Sequence, residues 1–201
     1  KEFLQSLVDE GLWLRRINIR QVEGKGFQDI PEKEFKSFKT WTRENVDAPL
    51  LKEIFPIGQE LKDVRWESHD SRIRLPKHLE QVHLSKEILG KGGVTFGRQI
   101  GAYPILIGVP YLIPLESTSN ILITGHGMRS ITGVECNLDI NNVTEKQLEA
   151  IPGISKKGAW SIISERVKRK NKGFDLAFEN AEDAFDSTGL NMTEIAHRIL
   201  I

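Results

Sequence analysis

The stretch GVTFGRQIGAYPILIGVP, residues 93–110, holds two strand-like runs, VTFGRQI and YPILIGVP, on either side of a turn at Gly101. Three further pieces of the same kind surround it: ELKDVRWE at 60–67, NILITG at 120–125 and SITGVECNLDI at 130–140. Each is short and bounded by turn-forming residues, so the spacing predicts a small antiparallel β barrel or sandwich over residues 58–142. In the last piece Val134, Cys136, Leu138 and Ile140 alternate onto one face. Cys136 therefore reads as a core thiol rather than a reactive one, because nothing near it in sequence would lower its pKa.

Upstream, residues 1–57 carry the signals of an α/β unit near its end. Phe3, Leu4, Leu7 and Val8 recur at helical spacing, Gly11 suits a C-cap, and LWLRRINIRQV follows as a strand over 12–22. Pro31 is placed to open a second helix with Phe35, Phe38 and Trp41 on one side. Asp47 and Pro49 form the pattern of an N-cap and an early helical proline, so a third helix should begin there and stop at Phe55, before Pro56 and Gly58.

Downstream, residues 143–201 read as helical, beginning with a capping box in which Thr144 is the N-cap and Gln147 its third helical residue. Within them lies LEAIPGISKKGAW, residues 148–160. Gly153 sits where the backbone must turn tightly, Ile151 and Ile154 pin two helices together, and the second helix starts near Ser155. Backbone N–H groups at that start point outward where a phosphate fits, with Lys156 and Lys157 in reach. The plain alternative is an ordinary αα-hairpin with solvated lysines. The chain carries 28 Lys plus Arg against 28 Asp plus Glu, so it has no global field for a polyanion and any nucleic-acid contact must be local.

The residues Leu148, Ile151, Pro152, Gly153, Ile154, Ala159 and Ile162 resemble the helix-hairpin-helix motif, a non-sequence-specific binder of DNA or RNA phosphates. The resemblance implies Pro152, Gly153, Ile154, Ser155, Lys156 and Lys157 as the contact, with Arg166, Lys168 and Arg169 of the run ERVKRKNKG extending it along a second strand. That run otherwise reads as a solvated helix end whose cations suit the dipole. AEDAFDSTGLNMTEIAHRIL repeats the shape thirty-six residues later, Gly189 and Leu190 matching Gly153 and Ile154, but without the proline or the lysine pair. Two such motifs resemble a double helix-hairpin-helix domain, with the second hairpin supplying core.

A second resemblance runs through LRRINIRQV, FKSFKTWTRENVDAPLLKEIFPIGQELKDVRWESH and GVTFGRQIGAYPILIGVP. These are similar to the carboxyl-terminal half of an uncharacterised archaeal group of radical S-adenosylmethionine proteins, in which a barrel precedes a small β domain and a helix-hairpin-helix tail. It implies that the chain is a segment of a longer protein that begins with a radical S-adenosylmethionine core. The parent's cofactors would be a 4Fe-4S cluster and S-adenosylmethionine. The CxxxCxxC cluster motif is absent, and with one cysteine this segment should bind neither cofactor nor metal and should not be catalytic by itself. Asn18 and Arg20, at the carboxyl end of the strand over 12–22, are the implied substrate-facing residues, or else Arg16 and Arg20 pair with carboxylates of the barrel.

The expected fold class is α+β: a terminal piece of an α/β barrel with connecting helices over 1–57, the small β barrel or sandwich over 58–142, and an all-α double helix-hairpin-helix domain over 143–201. Arg98 and Tyr103 could add a secondary nucleic-acid patch on the β domain, although turns alone would also demand the glycines beside them. GKGG at 90–93 lacks P-loop spacing, and His69, His78 and His83 lack the spacing of a metal pair. No apolar run is long enough to span a bilayer, and a single cysteine suits the cytoplasm. Two functions follow: a region that delivers a radical enzyme to RNA or DNA through phosphate contacts, or a structural or protein-interaction module of an enzyme acting on something else.

Overall fold

A computed structural model describes residues 2–10, 30–70, 84, 86–100 and 105–201. The chain divides into two compact units, residues 1–56 with 126–130, and residues 57–125 with 131–201.

The described part of the first unit contains α1 (Glu2–Asp9), α2 (Glu32–Thr42) and α3 (Ala48–Ile54). Pro31 precedes α2, as its fixed φ and missing donor favour. Between α2 and α3 the expected break does not occur. Residues Arg43–Asp47 form a π-helical turn, and Asp47 itself has helical dihedrals (φ −64°, ψ −45°) with no side-chain cap bond. Pro49 has no N–H to continue the α ladder, and a wider turn ahead of it keeps the chain helical. The buried Asp47 carboxylate instead accepts from Arg129 Nε at 2.7 Å, and His126 Nε2 lies 2.6 Å from the Phe55 carbonyl.

The second unit is built on five strands: β1 (Glu60–His69), β2 (Gly92–Gln99), β3 (Leu106–Tyr111), β4 (Thr118–His126) and β5 (Ser130–Glu135). They form a closed barrel in the order β1-β2-β3-β5-β4. Closure places β4 beside β1, giving the neighbour order 4-1-2-3 of a Greek key. β1 makes this possible by serving two partners, pairing with β4 over Glu60–Arg65 and with β2 over Val64–His69. Its register slips between Leu61 and Val64, which face Ile121 and Ser119. Asp63 absorbs the extra residue with φ 53°, so Leu61 and Val64 both point inward although they are three apart. A second slip lies between Trp66 and Ser68. Trp66 fills the barrel and donates its indole N–H to Ser119 Oγ at 2.9 Å. Opposite it stands Gly97, where a Cβ would lie 2.3 Å from the Arg65 carbonyl oxygen and 2.8 Å from the indole ring. Only glycine fits.

The expected fold class is corrected by this barrel and by what the C-terminal helices rest on. Helices α4 (Glu145–Ala150), α5 (Lys156–Asn171), α6 (Ala181–Thr188) and α7 (Glu194–Ile199) do not make a separate all-α double helix-hairpin-helix domain. They belong to the same compact unit as the strands. Leu138 donates to the Ile199 carbonyl and receives from Ile201 N, and Ile140 N donates to the Ile201 carbonyl. Thr144 Oγ1 donates to the Gly90 carbonyl at 2.9 Å. Three of the four helices are eight residues or shorter. Helices of that length do not stabilise themselves, and here they lean on the barrel for a core. The terminal piece of an α/β barrel is likewise not seen, since the described residues before β1 form helices and no strand. The strand expected at 12–22 lies outside the described residues.

SITGVECNLDI is not one strand either. β5 ends at Glu135, and the left-handed Asn137 (φ 57°) turns the chain before Leu138 bridges to Leu200. Cys136 is half-buried, and burial, with Glu60 nearby, pushes its thiol up to about 11.

Candidate functional site

The α4–α5 hairpin starts from the capping box that the sequence indicates. Thr144 Oγ1 accepts from Gln147 N, and the Gln147 side chain accepts from Thr144 N. The hairpin's apolar residues are its anchor: Leu148, Ile151, Ile154, Ala159 and Ile162 are all buried. Gly158 is buried too, where a Cβ would lie 3.4 Å from Leu190. Gly153 turns the chain with φ 95°, and a Cβ there would meet the Thr193 methyl at 2.5 Å, so both conformation and space demand glycine. Ser155 caps α5, its hydroxyl accepting from Gly158 N at 3.1 Å.

Four side chains or turns are thereby held open to solvent at one place: Gly153, Ser155, Lys156 and Lys157 are all exposed. Among the described residues, the amide N–H groups of Gly153, Ser155, Lys156 and Lys157 have no acceptor, and neither lysine makes an ion pair. No acidic residue occupies the first turn of α5. The positive end of a four-turn helix, unpaired donors and two cations outside any contact ion pair therefore coincide, with the Glu149 carboxylate close enough to Lys156 to sense its charge.

Further along α5 the expected cations divide. The Arg166 guanidinium donates to the carbonyls of Ile140 (3.2 Å) and Val143 (2.7 Å), and burial pushes it below its ordinary pKa. Arg169 donates to Asp183 Oδ2 at 2.7 Å and the Ala177 carbonyl at 3.0 Å, and its guanidinium carbon lies 5.0 Å from the Phe178 ring centroid. Both arginines are thus engaged inside the unit. Lys168 reaches Glu165 at 3.0 Å but stays mostly in solvent. Arg98, on the outer side of β2, is paired with Glu67 at 2.5 Å. Tyr103, Asn18 and Arg20 lie outside the described residues, as do His78 and His83, while His69 Nε2 sits 2.8 Å from the Ile113 carbonyl.

One residue of the quoted motif escaped selection. Trp160 is 62% exposed, with no ring contact and no partner for its indole N–H among the described residues. A helical wheel could have found it, because a step of about 100° per residue carries position 160 away from the core line of Ala159 and Ile162.

The fold and this site define a closed five-stranded Greek-key barrel bearing capped helical hairpins, one of which presents an unpaired basic turn. The chain is similar over 75% of its length to an uncharacterised protein of Archaeoglobus fulgidus, at 34% identity across 161 residues. It is similar over 66% of its length to an uncharacterised protein of Methanocaldococcus jannaschii, at 31% identity across 143 residues. It spans about a quarter of these relatives, 26% and 23% of their lengths. No family model matches the chain, and no solved structure matches it significantly.

Proposed function

We propose that this chain is the nucleic-acid-binding region of a longer protein and grips a phosphate of RNA or DNA at the α4–α5 turn, without regard to sequence. The observation that carries this is the pair Lys156 and Lys157, exposed and in no contact ion pair among the described residues, with Glu149 near enough to Lys156 to feel its charge, beside four amide N–H groups that have no acceptor among the described residues. In a chain of zero net charge such a turn is a local anion site. Arg166 and Arg169 are spent on carbonyls and carboxylates, so the contact is assigned to Gly153–Lys157, with Lys168 at its margin.

The region would serve a cytoplasmic radical S-adenosylmethionine enzyme by holding its nucleic-acid substrate. Support for that parent is the sequence resemblance alone; the relatives, about four times as long as the matched stretch, support only a longer protein. The 4Fe-4S cluster does not fit the residues present, because a single cysteine, half-buried in the fold, cannot supply the set of thiolates that holds one. Membrane attachment plays no part in this reading, and no helix among the described residues is long and apolar enough to cross a bilayer.

The test is a salt titration with a duplex and a structured RNA. Lys156→Glu with Lys157→Glu should weaken both ligands alike and reduce the slope of log affinity against log salt by about one to two units. Undiminished binding by the double variant, or no binding by the natural chain at low salt, would overturn the proposal in favour of a protein-interaction module.

A further inference from the structure

Trp160 is the largest exposed side chain on α5, and its neighbours on the helix surface are the two unpaired lysines, Lys157 three residues and Lys156 four residues before it. Single exposed apolar side chains are ordinary, but an indole beside two cations offers a flat face that a ligand can cover at a gain. A ligand that covers it would have to accept a flat aromatic face and two cations within one helical turn. Toward the helix C-terminus the face of Trp160 carries the half-buried Ile163 and Ser164 and, two turns on, the exposed Val167, whereas toward the N-terminus it carries only the two lysines, so charge lies at one end of the ring alone. A planar ring beside a concentrated positive charge is complementary to a nucleotide: the base stacks, and the phosphate next to it meets the lysines.

We infer that the Trp160 face is a stacking platform for an unpaired base, so that the preferred ligand of this chain is single-stranded nucleic acid rather than duplex. The inference rests on the proposed phosphate contact and adds to it the structural class of ligand. A duplex offers phosphates to the lysines but keeps its base faces stacked inside, whereas a single strand offers both at once. Trp160 contributes through its π face, which is common to every base, so the platform adds affinity for single strands without adding sequence preference.

The experiment compares oligo(dT) of about sixteen nucleotides with a duplex of equal length, using the natural chain, Trp160→Ala, Trp160→Phe and the double lysine variant. Trp160→Ala is expected to weaken oligo(dT) binding by about 5- to 100-fold and duplex binding by less than about twofold, with Trp160→Phe retaining most of the oligo(dT) affinity. Oligo(dT) should quench tryptophan emission in the natural chain, and most of that quench should vanish in Trp160→Phe. Equal losses on both ligands, or no loss on oligo(dT), overturn the stacking platform while leaving the phosphate contact standing if the lysine variant still weakens both. A natural chain that self-associates until Trp160→Ala makes it monomeric, with oligo(dT) affinity unchanged, overturns it in favour of a second copy as the occupant. Failure of the natural chain to bind either ligand at low salt removes both proposals together. The ring's exposure means that the variants should melt near the natural chain.

Discussion

The α4–α5 and α6–α7 hairpins use the same parts and put them to different ends. Each connection is five residues, 151–155 and 189–193, and each ends in a hydroxyl N-cap that accepts from the third helical amide at 3.1 Å, Ser155 from Gly158 and Thr193 from Ala196. Each also contains a glycine with positive φ, Gly153 at 95° and Gly189 at 68°. The glycines are not equivalent, however. Gly189 stands directly after α6 as its left-handed C-cap, whereas α4 ends in the extended Ile151 and turns two residues later. The helix starts repeat at 155 and 193, while the glycines that suggest the repeat in the sequence lie at 153 and 189. The second hairpin is also tied to the first. Thr193 Oγ1 donates to the Pro152 carbonyl at 3.2 Å, and its methyl covers Gly153. Its helices begin with Glu182, Asp183 and Glu194, so it offers acid where α5 offers lysine. One hairpin props the other, and only the propped one presents cations at the start of its second helix, Arg198 lying in the last turn of α7.

Adding a side chain at each glycine separates the two turns most strongly. Gly153→Ala forces a left-handed alanine into the Thr193 methyl and should cost about 3 kcal/mol in urea unfolding, the sum of backbone strain and overpacking. Gly189→Ala meets nothing within 4 Å and should cost about 1 kcal/mol, for the dihedral alone. Equal costs would mean that the two turns are not packed as described.

A smaller effect is expected from Arg166→Ala, which would leave the Ile140 and Val143 carbonyls without their charged donor. Urea unfolding should show a loss of about 2 kcal/mol, with oligonucleotide affinity unchanged. A salt-dependent loss of affinity without a loss of stability would return Arg166 to the ligand.

The smallest concerns the foot of α4, where Gln147 neighbours Glu135 at the end of β5. Burial raises the Glu135 carboxyl above its ordinary value of 4.5, and hydrogen bonds from Ser119, Gln147 and Tyr111 offset only part of that. Because the folded value is the higher one, the neutral carboxyl costs nothing extra below about pH 4.5, and stability falls as pH rises through the folded value. Glu135→Gln should flatten that decline in urea midpoints measured from acid to neutral pH. Parallel curves for the two proteins would show that Glu135 ionises as freely in the folded chain as in the unfolded one.

Much of the local structure was legible because it depends on neighbours in sequence. The Thr144–Gln147 box, the helix start near Ser155, the Gly153 turn, the stop at Phe55 and the strand character of all five barrel pieces follow from turn chemistry and hydrophobic period, which act over a few residues. The candidate site was legible to the same extent, as a glycine turn followed by two lysines. Whether a cation is available was not. Arg166 and Lys157 look alike as letters, but a carbonyl more than twenty residues away in sequence occupies one and nothing among the described residues pairs the other. Nor could the sequence say that short helices would share a core with the strands. The bridge from Leu138 to Leu200 joins residues sixty-two apart, and the slip at Asp63 that lets β1 serve two partners exists only because the barrel closes. Local steric and hydrogen-bonding preferences therefore set the elements, whereas closure of the barrel and the pairing of distant charges, both long-range and cooperative, decided their arrangement and which lysines remain free.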